Sequence, residues 1–295
     1  MKKRTLAVFM AGVMAASMMT GVVSVYADAD SKTLTVGFDA EYPPFGYKDD
    51  NGEYVGFDLD LAQEVCDNLG WELVKKPINW DSKDMELNSG AIDCIWNGFT
   101  MNGREDDYTW SVPYVDNSQV IVIPEDSDVA DLAGLAGKTV GVQAASAALE
   151  LLSDGGDQAD LAATFGTLQQ FPDYNNAFIE LQAGSIDAIA MDIGVANYQL
   201  KQHEGYKILD EALNSEKYAV GFKLGNEELR DTVNDSLMQL KADGTFDALA
   251  EKYELTDMVC LGEEEDAEAA TETASEAATE GASEVATETE AATES

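Results

Sequence analysis

The sequence predicts an α/β protein made of two similar Rossmann-like lobes, and an internal repeat is the main reason. Residues 86–95 read ELNSGAIDCI, and residues 180–189 read ELQAGSIDAI, 94 positions further along. Each copy predicts a helix that ends on Leu-x-x-Gly, where glycine adopts the left-handed conformation, followed by a short apolar strand. The period is too long for a solenoid unit and suits a small domain used twice.

A second, shorter match precedes each copy and predicts that both lobes open in the same way. Residues 35–38 read TVGF, and residues 139–142 read TVGV. Both segments have the apolar character of a buried strand. A chain of two such α/β lobes usually places its ligand in the cleft between them.

The first lobe is predicted as a βαβαβ set. Alternating apolar residues indicate a strand over 34–38. A helix is predicted over 58–69, with Asp58 as its N-cap and Gly70 as the left-handed residue that follows it. The remaining predicted elements are a strand at 72–76, a helix near 83–88 and a strand at 91–96.

The second lobe is predicted between two crossings of the chain, along 118–123 and 218–222. It contains strands near 139–143 and 188–191 and helices near 147–152 and 175–181. Two amphipathic helices, over 227–240 and 245–253, follow the return and are expected to pack on the first lobe. Lobe 1 is thus expected at 32–118 plus 221–260 and lobe 2 at 119–220, joined by a two-stranded hinge.

Both ends of the chain have a distinct composition. Residues 1–27 combine Lys2, Lys3 and Arg4 with a long uncharged apolar run, which predicts a cleaved signal peptide; a retained membrane anchor is the alternative. Residues 263–295 are almost entirely Glu, Ala, Thr and Ser, with 12 acidic residues and no Lys or Arg. Such a segment buries too little apolar surface to offset its ordering entropy, so a disordered acidic tail is predicted.

Composition also excludes several classes of function. A formal net charge of −40 disfavours binding to nucleic acid. His203 is the only histidine, so a histidine metal site or a Ser-His triad is hard to build, and we predict neither metal nor cofactor. The three cysteines, an odd number, are predicted to be buried free thiols, with a Cys66–Cys94 disulfide as the alternative.

Four motifs then occur in order along the chain. They read GFDAEYPPF at 37–45, GFDLDLA at 56–62, FTMNGR at 99–104 and DGTFDALAEKY at 243–253. Together they resemble the extracellular solute-binding proteins that deliver polar amino acids to ABC importers, over about residues 32–256. The resemblance implies a type II periplasmic binding protein fold, a ligand trapped by closure of the lobes, a membrane ABC permease as partner, a monomer, and a location outside the cytoplasm.

The same resemblance implies a clamp for a zwitterion. Arg104 corresponds to the arginine that grips the ligand's α-carboxylate, and Asp192 to the carboxylate that grips its α-ammonium. A guanidinium meets a carboxylate through two parallel hydrogen bonds, and an aspartate is a direct counter-ion for an ammonium. Two structural alternatives stand beside these roles: Arg104 neutralises the acidic residues 105–107, or Asp192 caps the helix that follows it.

Further ligand-binding positions follow from the resemblance. Tyr42 and Trp80 correspond to the aromatic walls of the side-chain pocket, and Trp80 lies in a polar loop where core packing explains it poorly. Asp39 corresponds to a position that often faces the ligand side chain, or it caps the turn after its strand. The residues expected to supply hydrogen bonds to the ligand carboxylate are Asn97, Gly98, Thr100 and Ser146.

This chain departs from the family pattern at one of these loops. Thr100 and Arg104 are four residues apart, where the family commonly has five. The expected function remains non-catalytic capture of an L-amino acid for a permease. Two alternatives remain open at this stage: an enzyme resembling periplasmic cyclohexadienyl dehydratases, and the sensor domain of a receptor.

Overall fold

The computed structural model describes residues 32–263. The predicted signal peptide and all but the first residue of the predicted acidic tail lie outside the described residues. Within 32–263, no helix has the length and apolar character needed to cross a membrane.

Eight α-helices and fifteen strands are found in residues 32–263, with short 3-10 turns at Trp80–Ser82 and Leu132–Leu135. The helices are α1 (Phe57–Leu69), α2 (Lys83–Ser89), α3 (Ala147–Leu152), α4 (Ala159–Ala162), α5 (Tyr174–Gln182), α6 (Ile193–Gln202), α7 (Glu227–Asp243) and α8 (Thr245–Lys252). The strands are β1 (Thr33–Phe38), β2 (Glu41–Tyr42), β3 (Gly46–Lys48), β4 (Tyr54–Val55), β5 (Glu72–Pro77), β6 (Cys94–Ile95), β7 (Tyr108–Trp110), β8 (Val115–Asn117), β9 (Gln119–Pro124), β10 (Thr139–Gln143), β11 (Thr167–Phe171), β12 (Ala188–Asp192), β13 (Tyr206–Ile208), β14 (Glu216–Tyr218) and β15 (Gly221–Lys223).

Two five-stranded sheets form the centres of the two lobes. The first has the order β5-β1-β6-β15-β7 and the second the order β11-β10-β12-β9-β13. In each sheet the first three strands are parallel and the fourth runs antiparallel to them. The carboxyl ends of the parallel strands therefore carry the loops that build a cleft, as in other open α/β sheets.

The internal repeat has a structural counterpart in the two sheets. Val36 pairs with Cys94 in the first sheet, and Val140 pairs with Ala188 at the equivalent place in the second. Asp93 and Asp187 precede the repeated strands, and each accepts a hydrogen bond of 2.7 Å from a backbone amide of the neighbouring strand, Thr35 and Thr139 respectively. The Ile-Asp dipeptide that both copies of the repeat share thus sets the same strand register twice.

Glycine is also required twice at the repeated joints. Gly90 and Gly184 end the two helices with φ of 76° and 70°, the left-handed conformation predicted from Leu-x-x-Gly. Gly37 and Gly141 lie beneath Ile92 and Ile186, where an added Cβ would come within 2.4 and 2.7 Å of the isoleucine side chains. The repeat therefore preserves both a turn conformation and a close contact between strand and loop.

The lobes are connected by β8 and β14, which pair antiparallel with each other. The crossings lie slightly upstream of the predicted segments, because β9 already pairs with β12 of the second sheet and β15 already belongs to the first sheet. Helices α7 and α8 contact α1, so the C-terminal helices pack on the first lobe as expected. Phe57 of α1 contacts Phe246 of α8 at 5.8 Å between ring centroids.

The side chain of Asp58 differs from expectation, and the state of two cysteines is resolved. Asp58 is not the N-cap of α1: Gly56 occupies that position, and Asp58 points inward, fully buried. Its carboxylate accepts hydrogen bonds from the Gly98 amide at 2.5 Å and from the Tyr114 hydroxyl at 3.0 Å. Tertiary contacts therefore override the capping preference of aspartate here.

Cys66 and Cys94 are both free and buried, so the alternative disulfide is absent.

Candidate functional site

A narrow cavity lies where loops at the strand ends of the two lobes meet. Seven of the nine residues predicted to bind ligand contribute to its wall, and Asp39 lies in an adjoining cavity that shares Trp80. Asn97 contributes to neither. The wall is formed by Tyr42, Trp80, Gly98, Phe99, Thr100, Arg104, Gln143, Ser146, Ala147 and Asp192.

Arg104 presents its guanidinium to this cavity from the first lobe. It is 6% exposed, and its Cζ lies 5.2 Å from the centroid of the Phe99 ring. Its Nη1 donates to the Thr100 carbonyl oxygen at 3.2 Å. Its Nε and Nη2 donate to the Glu150 carboxylate, with the closest contact at 2.7 Å.

The partner of Arg104 comes from α3 of the second lobe, not from the acidic residues 105–107 that follow it in sequence. Glu150 uses the same forked geometry that a free carboxylate ligand would use. Its side chain is 54% exposed, so solvent screens the ion pair and weakens it. Breaking the ion pair between Arg104 and Glu150 therefore costs little free energy.

Asp192 closes the opposite side of the cavity from the second lobe. It is the last residue of β12, is 3% exposed, and does not cap α6 through its side chain. Its carboxylate accepts hydrogen bonds from four neutral groups. The donors are Asn117 Nδ2 at 2.8 Å, Gln119 Nε2 at 2.6 Å, Tyr218 Oη at 2.6 Å and Tyr174 Oη at 3.3 Å.

A second buried carboxylate, Glu216, lies beside Asp192. Its Oε1 accepts hydrogen bonds from the Thr100 hydroxyl at 2.8 Å and from the same Asn117 and Gln119 amides at 2.7 and 2.8 Å. Burial first, and then the negative charge of Asp192, raise the pKa of the Glu216 carboxyl above its ordinary value. This residue was not among the sequence predictions.

Aromatic side chains lie around Arg104 and Asp192. Tyr42 lies 6.0 Å from Tyr174 between ring centroids, and its hydroxyl is 3.3 Å from that of Tyr218. Trp80 packs edge-on against Phe99 at 5.6 Å. Burial raises the pKa of all three tyrosine hydroxyls well above the usual value, so they remain neutral hydrogen-bond groups.

Gly98 is required at its position by the tyrosines. Its φ is 55°, and an added Cβ would lie 2.9 Å from carbon atoms of both Tyr42 and Tyr218. Its amide donates to Asp58, which fixes the loop at the cavity from beneath. Any side chain here would displace the aromatic wall.

Of the other predicted hydrogen-bond donors, Thr100 and Ser146 have acceptors among residues 32–263 and Asn97 does not. The Thr100 hydroxyl donates to Glu216, and the Ser146 hydroxyl donates to the Gln143 carbonyl oxygen while accepting from the Leu149 amide as the N-cap of α3. Asn97 is fully buried, and its side-chain amide has no hydrogen-bond partner among the described residues. Its oxygen lies against Gly46, where an added Cβ would come within 2.4 Å.

Asp39 connects the cavity with a larger acidic one of about 300 Å³. It follows β1 and accepts hydrogen bonds from Gln143 Nε2 at 2.6 Å and from the Glu41 amide at 2.9 Å. Burial is the main reason that its pKa rises to about 6. The carboxylates of Glu41, Asp81 and Asp173 also line this cavity.

The sequence reasoning missed several residues of the site, among them Phe99, Gln143, Glu150 and Glu216. For Gln143 a signal was present, because the match between 35–38 and 139–142, extended by one residue, places Gln143 opposite Asp39. The two strand ends meet across the cleft through that hydrogen bond. No local pattern marks Glu150 or Glu216. In sequence, Glu150 lies 46 residues from its partner Arg104, and Glu216 lies 116 residues from its partner Thr100.

Comparisons with known proteins identify the family of this chain. Residues 34–256 match the sequence profile of the bacterial extracellular solute-binding proteins, family 3. The L-cystine-binding protein TcyJ of Escherichia coli (strain K12) is 31% identical over 254 residues, which cover 82% of this chain and 93% of that protein.

Solved structures extend the comparison to the fold. A substrate-binding protein of an ABC uptake transporter from Streptococcus pneumoniae, with bound histidine, is 31% identical with a TM-score of 0.72 and covers 75% of this chain and 92% of its own. An ancestral amino acid-binding protein, a precursor of cyclohexadienyl dehydratase, is 31% identical with a TM-score of 0.68 and covers 75% and 95%. The predicted α/β fold class and the predicted resemblance are confirmed.

Proposed function

The chain belongs to the bacterial extracellular solute-binding proteins, family 3, and from this premise we propose that it captures an L-α-amino acid between its lobes and delivers it to an ABC permease. The observation that carries the proposal is the pair of opposite charges on one cavity. Arg104 faces it from the first lobe and Asp192 from the second. A zwitterion satisfies both only when the lobes are closed.

The ligand's carboxylate takes the place of Glu150 at the Arg104 guanidinium. Both partners are carboxylates, and the guanidinium offers each the same two donors. The ligand's ammonium approaches Asp192, whose hydrogen bonds come from neutral amides and hydroxyls and leave its negative charge uncompensated. Trp80 and Tyr42 flank the side chain, which extends toward the acidic cavity beside Asp39.

We further propose that the protein acts as an exported monomer outside the cytoplasm and has no nucleic-acid partner. The net charge of −40 supports the last point, because phosphate backbones are repelled. Family membership supports the location. The predicted signal peptide at 1–27 would direct export, and light scattering of the purified protein tests the monomer.

A stabilisation screen tests the amino acid ligand. The purified protein is heated with each of the common L-amino acids and with L-cystine. A ligand present at one hundred times its dissociation constant stabilises the folded state by about 2.7 kcal/mol, which raises the melting temperature. Stabilisation by at least one free amino acid supports the proposal, and absence of any stabilising amino acid contradicts it.

We infer a binding role rather than catalysis from the relatives of this chain. The relatives described above are binding proteins, and one of them is a precursor of cyclohexadienyl dehydratase. The enzymatic alternative therefore has a direct assay, which is incubation of the protein with prephenate without added cofactor. Formation of product at a rate proportional to protein concentration would replace the binding role with a catalytic one.

A further inference from the structure

The carboxylates of Asp192 and Glu216 share their hydrogen-bond donors. Asn117 Nδ2 and Gln119 Nε2 each lie within 2.8 Å of both Asp192 Oδ1 and Glu216 Oε1. The two oxygen atoms are therefore no more than about 5.5 Å apart. Both residues are 3% exposed. Two negative charges at this separation, away from water, repel each other strongly.

The hydrogen bonds described for this pair supply no positive charge. Every donor is an amide or a hydroxyl: Asn117, Gln119, Tyr174 and Tyr218 for Asp192, and Thr100, Asn117, Gln119 and Asn214 for Glu216. Arg104 contacts this network through the Thr100 carbonyl oxygen and is itself paired with Glu150. Buried carboxylates in such surroundings take up a proton or bind a cation.

A second observation points to a missing donor at the same place. Asn117 and Gln119 are 2% and 0% exposed, and their amide oxygen atoms, Oδ1 and Oε1, have no hydrogen-bond donor among residues 32–263. Buried acceptors are rarely left without a donor. The cluster thus has an excess of acceptors, both charged and neutral.

We propose that Asp192 and Glu216 together form a site for a single positive charge, which a proton on Glu216 supplies in the free protein and the ammonium of the bound amino acid supplies in the complex. The inference rests on the proposed function and adds Glu216 to its binding residues. Glu216 lies on the hinge strand β14 and acts through the amides that it shares with Asp192, while Asp192 lines the cavity and contacts the ammonium. Binding then releases the Glu216 proton to the solvent.

Linkage fixes the sign of the pH dependence. Lowering the pH protonates Glu216, and this proton competes with the ammonium, so affinity falls by up to about tenfold per pH unit and more protons are released per ligand bound. Tyr42, Tyr174 and Tyr218 also face the pair, but burial raises the pKa of their hydroxyls and keeps them neutral in this range.

Titration calorimetry measures the proton directly. The full-length protein is titrated with the L-amino acid that gives the largest shift in the stabilisation screen, at several values between about pH 5 and pH 8, in buffers that differ in ionisation enthalpy. The wild type should release about one proton per ligand at the acid end. Glu216→Gln keeps the size and an acceptor oxygen but does not titrate, so it should release about one proton fewer than the wild type at the acid end, and its affinity should vary less with pH.

A matched control and a ligand-free measurement complete the test. Asp116→Asn removes an exposed carboxylate from the same hinge strand as Asn117 and should behave as the wild type. In the free protein, carbon-13 NMR should show a carboxyl titration that Glu216→Gln removes. Binding without proton release, or release that is unchanged in Glu216→Gln, would overturn this inference alone; absence of any binding amino acid would overturn the proposed function and the inference with it.

Discussion

Replacing Asp58 with asparagine should remove the contribution of this carboxyl to the pH dependence of the unfolding free energy. Burial raises the pKa of Asp58 to about 7, from an ordinary value of 3.8. A carboxyl with a raised pKa favours the folded state when it is protonated. Its contribution is therefore fully present below the ordinary value and is lost as the pH rises through about 7.

The magnitude follows from the size of the shift. About three pKa units correspond to about 4 kcal/mol of unfolding free energy lost between about pH 4 and pH 8. Asparagine matches the site, because its oxygen accepts the Gly98 amide and its nitrogen donates to the Tyr114 hydroxyl. The stability of Asp58→Asn minus that of the wild type should thus rise with pH by about that amount.

Urea denaturation at a series of pH values provides the difference curve, in which the contributions of all other carboxylates cancel. Asp67→Asn is the control, since Asp67 is an exposed aspartate on the same helix. A flat difference curve for Asp58→Asn would refute the reasoning, because it would mean that Asp58 titrates alike in the folded and unfolded chains.

Three further predictions concern the site and the tail. Glu150→Gln should tighten amino acid binding about fivefold in calorimetry, because it removes a half-exposed competitor for Arg104 worth about 1 kcal/mol; weaker binding would mean that Glu150 contacts the ligand. Trp80→Ala should lower affinity and remove most of the ligand-induced fluorescence change, whereas Trp71→Phe should retain it; an unchanged response without Trp80 would assign that residue to packing alone. A chain ending at Gly262 should bind with unchanged affinity in the same assay, and loss of binding would give the acidic tail a role.

Local patterns in the sequence predicted the repeated joints well. Leu-x-x-Gly specifies a helix end through the intrinsic freedom of glycine, and Gly90 and Gly184 adopt the left-handed conformation that it demands. The strand that follows is apolar because both sheets bury it. These features depend on neighbours in sequence, so they are visible without tertiary structure.

The polar network of the site was not predictable in the same way. Asp58 has the sequence context of an N-cap, yet its carboxylate is buried and accepts hydrogen bonds from Gly98 and Tyr114. These residues lie 40 and 56 positions away in sequence. Glu216 meets Asn117 only because the two hinge strands pair, across 99 residues of chain. Side chains of this kind are placed by topology, and a short sequence window carries no information on their partners.

The zwitterion clamp is the central claim, and calorimetry with clamp variants tests it most directly. The amino acid found in the stabilisation screen is titrated into the wild type, Arg104→Ala, Asp192→Ala and the control Arg230→Ala, which alters a partly exposed arginine on α7. Truncating a buried charged partner costs about 2–5 kcal/mol, so both clamp variants should bind at least tenfold more weakly while the control binds as the wild type. Wild-type affinity in both Arg104→Ala and Asp192→Ala would contradict the account.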